Sequence, residues 1–151
     1  MTLTQKETSL LNDLAAQEQL CIGKYEKCSA EAASTNLKNI FSSMAQMERG
    51  HLNSINDLLN GNLKTIPSSN IKGNNNDCVA FNYTNAQAKG NDAFLCKDML
   101  TMEKHASSMY NTCVFEFKNP QARKLLSHIQ SEEQQHGEQL YAYMEANGMY
   151  C

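Results

Sequence analysis

The sequence predicts an all-α protein, an up-down four-helix bundle of two duplicated helical hairpins joined by a long crossover loop. Three observations carry this. Apolar residues recur at spacings of three, four and seven along four long stretches. A polar run rich in Asn, Gly and Ser separates the second stretch from the third. One constellation is written twice: Glu18 is followed by Glu48-x-x-His51, and Glu103 by Glu133-x-x-His136. Each Glu precedes its Glu-x-x-His by 30 positions (48 − 18; 133 − 103), and the copies are offset by 85 (103 − 18).

The first helix should begin at Thr4, because Thr4-Gln-Lys-Glu7 forms a capping box, and run to about residue 33. Leu11, Leu14, Ile22 and Tyr25 mark its apolar stripe. Glu18 sits four after Leu14 and four before Ile22, on that stripe. Ser34-Thr35-Asn36 stops this helix and caps the next, expected over about 36–60. There Leu37, Ile40, Phe41, Met44, Ile55 and Leu58 or Leu59 face inward, with Glu48 and His51 at Met44 plus four and plus seven. Asn60-Gly61 ends it.

Residues from about 61 to 91 read as the crossover. Pro67-Ser-Ser-Asn and Lys72-Gly-Asn-Asn-Asn-Asp cannot build a packed helix. The short apolar group Cys78-Val-Ala-Phe81-Asn-Tyr83 is expected to lie over the bundle. A connection of about 30 residues is long for a compact domain. It is needed if the two middle helices run parallel, as in the one-crossover topology of ferritin-like folds.

The third helix is expected over about 92–118, with Phe94 or Leu95, Cys96, Met99, Ala106, Tyr110, Cys113 and Phe117 inward and Glu103 at Met99 plus four. Asn119-Pro120 caps a fourth helix over about 120–147, which carries Leu125, Leu126, Ile129, Leu140 and Met144 and ends at Gly148. Glu133 and His136 lie at Ile129 plus four and plus seven. The offset of 85 also maps Leu14 to Met99, Tyr25 to Tyr110, Cys28 to Cys113, Met44 to Ile129 and Ile55 to Leu140. We read a duplicated hairpin.

A chain of 151 residues suits one domain with one core, spanning 1–151. A net charge of −3 offers no basic field to nucleic acid or to an anionic membrane. No apolar run has transmembrane length, and the polar N-terminus lacks the apolar core of a secretory signal. Neither nucleic-acid binding nor membrane insertion is expected. The protein should be made and kept inside a cell, or released without the usual export route.

Positions i and i+3 share a helix face, so each Glu-x-x-His aims a carboxylate and an imidazole at one point. Two such helices and two more Glu give six candidate metal ligands: Glu18, Glu48, His51, Glu103, Glu133 and His136. Two divalent cations would balance four carboxylates, and this donor set suits iron, manganese or zinc. One Glu alone would read as a solvated residue at the edge of a stripe. Two matches with equal spacing and stripe phase point to a metal-capable centre. His105 and His128 read as surface or structural residues. Tyr25 and Tyr110 read as core aromatics, close enough to the Glu residues to contact them.

Six cysteines are disulfide candidates: Cys21, Cys28, Cys78, Cys96, Cys113 and Cys151. No Cys-x-x-Cys is present, which disfavours zinc ribbons and rubredoxin-like iron sites. Cys21, Cys28, Cys96 and Cys113 fit equally as small buried hydrophobes. Cys78 and Cys151 have no evident core to fill and best suit cross-links between chains.

The ligand pattern is similar to that of ferritin-like proteins such as rubrerythrins. The stretch from Ser107 to Tyr150 (SSMYNTCVFEFKNPQARKLLSHIQSEEQQHGEQLYAYMEANGMY), its ending Asn147-Gly148-Met149-Tyr150, the opening LTQKETSLLNDLAAQEQLC and the helix end LLNGNLKTIP more closely resemble clostridial members of the spore coat protein F family. The resemblance implies a ferritin-like bundle made in the mother-cell cytoplasm and deposited in the spore coat or outer spore layer. Its partners would be itself and other coat proteins. The cysteine count exceeds that of a plain coat F domain and fits disulfide-linked assembly. The expected function is a structural, self-assembling coat protein with a two-metal site holding iron or manganese. The alternative is a rubrerythrin-like oxidase or peroxidase, or a manganese-catalase-like enzyme, that detoxifies oxidants. No residue is assigned a catalytic role.

Overall fold

The structure is a computed structural model that describes residues 1–66 and 77–150. Pro67-Ser-Ser-Asn, the run from Lys72 to Asn76, and Cys151 lie outside the described residues. Among the described residues four helices form: α1 (Gln5–Glu31), α2 (Thr35–Leu59), α3 (Ala86–Glu116) and α4 (Pro120–Ala146). They pack as two pairs, α1 on α2 and α3 on α4, with α1 also against α3. No helix among the described residues is long and apolar enough to cross a membrane.

Each helix starts where side-chain chemistry satisfies free backbone donors. Thr4 and Glu7 form the reciprocal capping box of α1, and Ser34 Oγ accepts the Leu37 N–H of α2. Asn119 Oδ1 accepts from Gln121 and Ala122, with Pro120 in the first turn of α4. The third helix starts earlier than the expected residue 92. Asn85 caps it by accepting from the Ala88 N–H at 2.8 Å, so residues 86–91 add more than a turn. That turn, Ala-Gln-Ala-Lys-Gly-Asn, carries no large apolar residue and hence no stripe to read. Gly148, at φ 65°, closes α4 and lets the Met149 N–H reach Met144 O at 2.8 Å.

The inward stripes form two apolar clusters, one at each end of the bundle. Tyr25, Phe41, Met44, Leu95, Met99, Leu140 and Met144 pack together at one end. Leu11, Leu14, Ile55, Leu58, Phe117, Leu125 and Ile129 pack at the other. Leu95 rather than Phe94 faces the core: Phe94 is 69% exposed. Leu58 is fully buried and Leu59 lies beside it at the cluster's edge. The first cluster joins the C-terminal parts of α1 and α4 to the N-terminal parts of α2 and α3. The middle helices α2 and α3 are therefore parallel, and the chain must return along the bundle between them. Tyr83 and Cys78 of the returning segment pack on the first cluster. Tyr83 donates to Asp92 at 2.7 Å, and the Phe81 N–H donates to Asn147 Oδ1 at 2.8 Å. The segment thus lies on the bundle as the sequence predicts.

A pair of acids ties each hairpin to the linker of the other. Asp92 on α3 accepts the N–H groups of Ala33 and Ser34, between α1 and α2, at 2.8 and 3.0 Å. Glu7 on α1 accepts the N–H of Lys118, between α3 and α4, at 3.0 Å. Residues 7 and 92, and 33 and 118, are both 85 apart, so the duplication extends to this device. The Glu7 carboxyl is held below its ordinary value, chiefly by the Thr4 backbone N–H and against the cost of burial. A lowered carboxyl contributes stability at neutral pH that is lost as pH falls through its folded value. Glu7→Gln is expected to cost about 1–2 kcal/mol at pH 7 in urea unfolding. The gap from wild type should narrow below about pH 4. An equal gap at both pH values would contradict this account.

Candidate metal centre

All six doubled residues meet between the two apolar clusters. α1 brings Glu18, α2 brings Glu48 and His51, α3 brings Glu103, and α4 brings Glu133 and His136. Every one is at most 4% exposed. Their ligand atoms form two groups, Glu18–Glu48–His51–Glu133 and Glu48–Glu103–Glu133–His136, each within 4.8 Å. Glu48 and Glu133 belong to both groups. The pairwise geometry is compatible with two adjacent cation positions sharing two carboxylates.

The duplication explains how the side chains are held. Tyr25 donates its hydroxyl to Glu103, and Tyr110 donates its hydroxyl to Glu18. Each Tyr therefore fixes the Glu of the other repeat. Both rings are fully buried, and burial, then the adjacent carboxylate, raises both hydroxyls far above the ordinary tyrosine value. They stay protonated and donate. The His51 and His136 rings stack with centroids 5.8 Å apart. His51 Nδ1 lies 2.8 Å from Glu48, 3.0 Å from Glu133 and 3.8 Å from Glu18. His136 Nδ1 lies 3.2 Å from Glu48 and 3.3 Å from Glu103, without the alignment of a hydrogen bond.

Crowding four carboxylates out of water splits their proton affinities. Burial, then the charges of Glu133 and Glu48, raises Glu18 to about 11. Burial and Glu133 raise Glu103. For Glu48 and Glu133 burial also opposes ionisation, but the adjacent His136 and His51 imidazoles lower both, and the neighbouring Glu103 carboxyl lowers Glu133 further. Burial disfavours charge on the two imidazoles, yet their carboxylate neighbours raise both. Without cations, the cluster thus balances charge with protons.

The donor set also fits cations. Glu18 Oε2, Glu48 Oε1, Glu103 Oε2, Glu133 Oε2 and both His136 nitrogens are buried without a hydrogen-bond partner. A buried carboxylate oxygen with no donor is costly, and divalent cations between the helices would engage these oxygens together with one nitrogen of His136. Carboxylate oxygen with imidazole nitrogen suits iron, manganese or zinc.

The family model described as Coat F domain matches residues 91–150. Comparison with curated proteins and with solved structures finds no match. The Coat F segment carries α4 and most of α3, so Glu103, Glu133 and His136 lie inside it. Glu18, Glu48 and His51 come from the preceding hairpin.

The Coat F segment also supplies a residue that sequence reasoning missed. His51 Nε2 bonds Glu132 at 2.6 Å, and the other oxygen of Glu132 lies 3.0 Å from His128 Nε2. Glu132 is only 8% exposed. Its counterpart 85 positions earlier is Met47, so the outer nitrogen of His136 gains no such carboxylate. The i,i+4 pair His128 and Glu132 was a sequence signal, but symmetry between the repeats masked it. His105 is exposed, as expected, while His128 joins this chain of contacts. Cys21, Cys28, Cys96 and Cys113 are buried free thiols that act as small core residues. Burial raises Cys28 and Cys113 to about 11 and Cys96 to about 12, so they are poor nucleophiles at neutral pH. Cys78 is also a free thiol, but only half-buried.

Two measurements check this centre. Glu18, Glu103 and both His have raised proton affinities, so the protons they hold stabilise the metal-free fold below the ordinary values, 4.5 and 6.5. That stabilisation is lost as pH rises. Glu48 and Glu133 act oppositely, below the ordinary carboxylate range. Chelator-treated protein should melt at its highest temperature near about pH 4.5 and lose stability toward pH 9. Added divalent metal should restore stability most at the alkaline end, because cations displace protons from these ligands. Glu132 orients His51, so Glu132→Ala is expected to weaken one of two bound metals about 10- to 100-fold in a chelator competition. A uniform loss of both metals would argue against a role confined to His51.

Proposed function

We propose that this chain is a spore coat protein whose bundle is built around a two-metal carboxylate centre. The Coat F match supports the coat assignment. The observation that carries the metal reading is the buried Glu/His cluster with unpartnered ligand atoms on all four helices. Glu18, Glu48, His51 and Glu133 would hold one ion, and Glu48, Glu103, Glu133 and His136 the other. Iron or manganese would cancel the carboxylate charge and tie all four helices together at mid-bundle. The whole chain, 1–151, then acts as one domain, because neither hairpin holds a complete ligand set.

Self-assembly completes the structural role. The four buried cysteines cannot reach another chain while the bundle is folded. Cys78, on the segment laid over the bundle, and the terminal Cys151 are the residues proposed to cross-link neighbours after exposure to oxidants. A second reading, a two-metal oxidoreductase acting on O₂ or peroxide, is favoured by a surface cleft that has Glu103 and Glu133 in its lining. Bound iron or manganese would supply the redox chemistry there.

Elemental analysis of native protein should find about two metal ions per chain. Glu48→Ala, which removes a carboxylate shared by both groups, should abolish binding of both. Protein free of iron, manganese and zinc would refute the metal reading. On gels without reductant, material from mature spores should run as multimers that collapse on reduction. Cys78→Ser together with Cys151→Ser should remove the multimers, and a persistent ladder in that variant would rule out these two thiols.

A further inference from the structure

The two faces of the duplicated bundle differ at the level of the centre. Between α3 and α4 lies a cleft of about 340 Å³ lined by Leu100, Glu103, Lys104, Ser107, Glu133, Gln134 and Gly137. Two of these, Glu103 and Glu133, are buried members of the cluster, so the floor of the cleft is made by cluster residues, whose unpartnered oxygens lie just beneath it and closed to water. On the α1–α2 face, two of the residues 85 positions earlier are larger and more apolar. Ile22 stands for Ser107 and is 5% exposed, and Leu52 stands for Gly137. Where Gln130 donates to Ser107 O at 3.1 Å, the counterpart is the buried Ala45. Bulk is thus smaller on this face at Ser107 and Gly137, while Leu100 and Gln130 are larger than their counterparts Ala15 and Ala45. A Cβ on Gly137 would sit 3.5 Å from Leu100 Cδ1, an ordinary contact, so anything longer would project into the cleft.

We propose that the α3–α4 cleft is a binding site for small anions that reach the metal centre from this face alone. The inference rests on the two-metal reading above. Two divalent ions would neutralise the four carboxylates, so the floor of the cleft would accept rather than repel an anion. At the rim, the exposed ammonium of Lys104 favours negative charge, and the Ser107 hydroxyl and Gln134 amide offer donors.

The test uses the full chain loaded with cobalt(II), titrated with azide and followed by the visible cobalt bands. Wild type should take up about two cobalt ions per chain, with bands that shift on adding azide. Gly137→Leu and Ser107→Ile install the bulk of the opposite face. Both should keep the cobalt stoichiometry and weaken azide binding at least tenfold. Lys104→Glu, at the surface, should weaken azide binding several-fold without filling the cleft. If Gly137→Leu and Ser107→Ile bind azide as wild type does, the access route is wrong. Cobalt uptake with no azide response in wild type overturns the anion site alone. No cobalt uptake overturns the metal reading and this inference with it.

Discussion

Four carboxylates held within a few ångströms of one another, away from water, are the constraint on which the rest of the structure depends. Unbalanced, they would repel each other in a medium that screens poorly. The protein meets this with two imidazoles from the same two helices that supply Glu48 and Glu133, and with protons on Glu18 and Glu103. Cations would replace the protons without any change of donor. The apolar clusters at either end then become necessary as well as stabilising. They keep water from the cluster and fix the four helices at a spacing that the ligand atoms must match.

Duplication supplies the balance economically, because each support reaches across to the other repeat. Tyr25 and Tyr110 exchange Glu partners, and Glu7 and Asp92 exchange linkers. Neither hairpin can satisfy its own buried groups. Glu18 without Tyr110, or the Lys118 N–H without Glu7, would lose a partner whose replacement by water the packing disfavours. Coupling between hairpins is therefore polar and specific at three levels: the two linkers and the centre.

Much of this was legible in the sequence because metal-ligand geometry and helix periodicity obey the same spacing. Glu18, Glu48 and Glu103 occupy positions where an apolar residue was due, and burial of each at 0–3% exposure follows from that phase. Other features were not legible. The start of α3 has a cap in Asn85 but no apolar residue to announce a turn. The choice of Leu95 over Phe94 depends on where α1 and α4 lie, which adjacent residues on one helix cannot report. Glu7 was readable as a cap, but its bond to Lys118 spans 111 positions and exists only once the hairpins dock. Glu132 sits beside a ligand at a position that would face water on an isolated helix. Only the approach of His51 from α2 makes it part of the centre.

The departures from symmetry carry more functional information than the symmetry does. A bundle needing only a charge-neutral core would be served by equivalent repeats, since each ligand set already comprises the same residue types. Here the C-terminal hairpin alone has Glu132 with His128 behind one imidazole, and Ser107 with Gly137 where the other hairpin has Ile22 and Leu52. Both differences lie against the same six residues, and both add polarity or space rather than packing. Losing apolar bulk beside a buried centre forfeits burial energy of about 25 cal/mol per Å². It also brings water closer to charges that are stabilised by its exclusion. The proposed exchange of small ligands on one side would offset these costs, and it is compatible with a centre that also ties the four helices together.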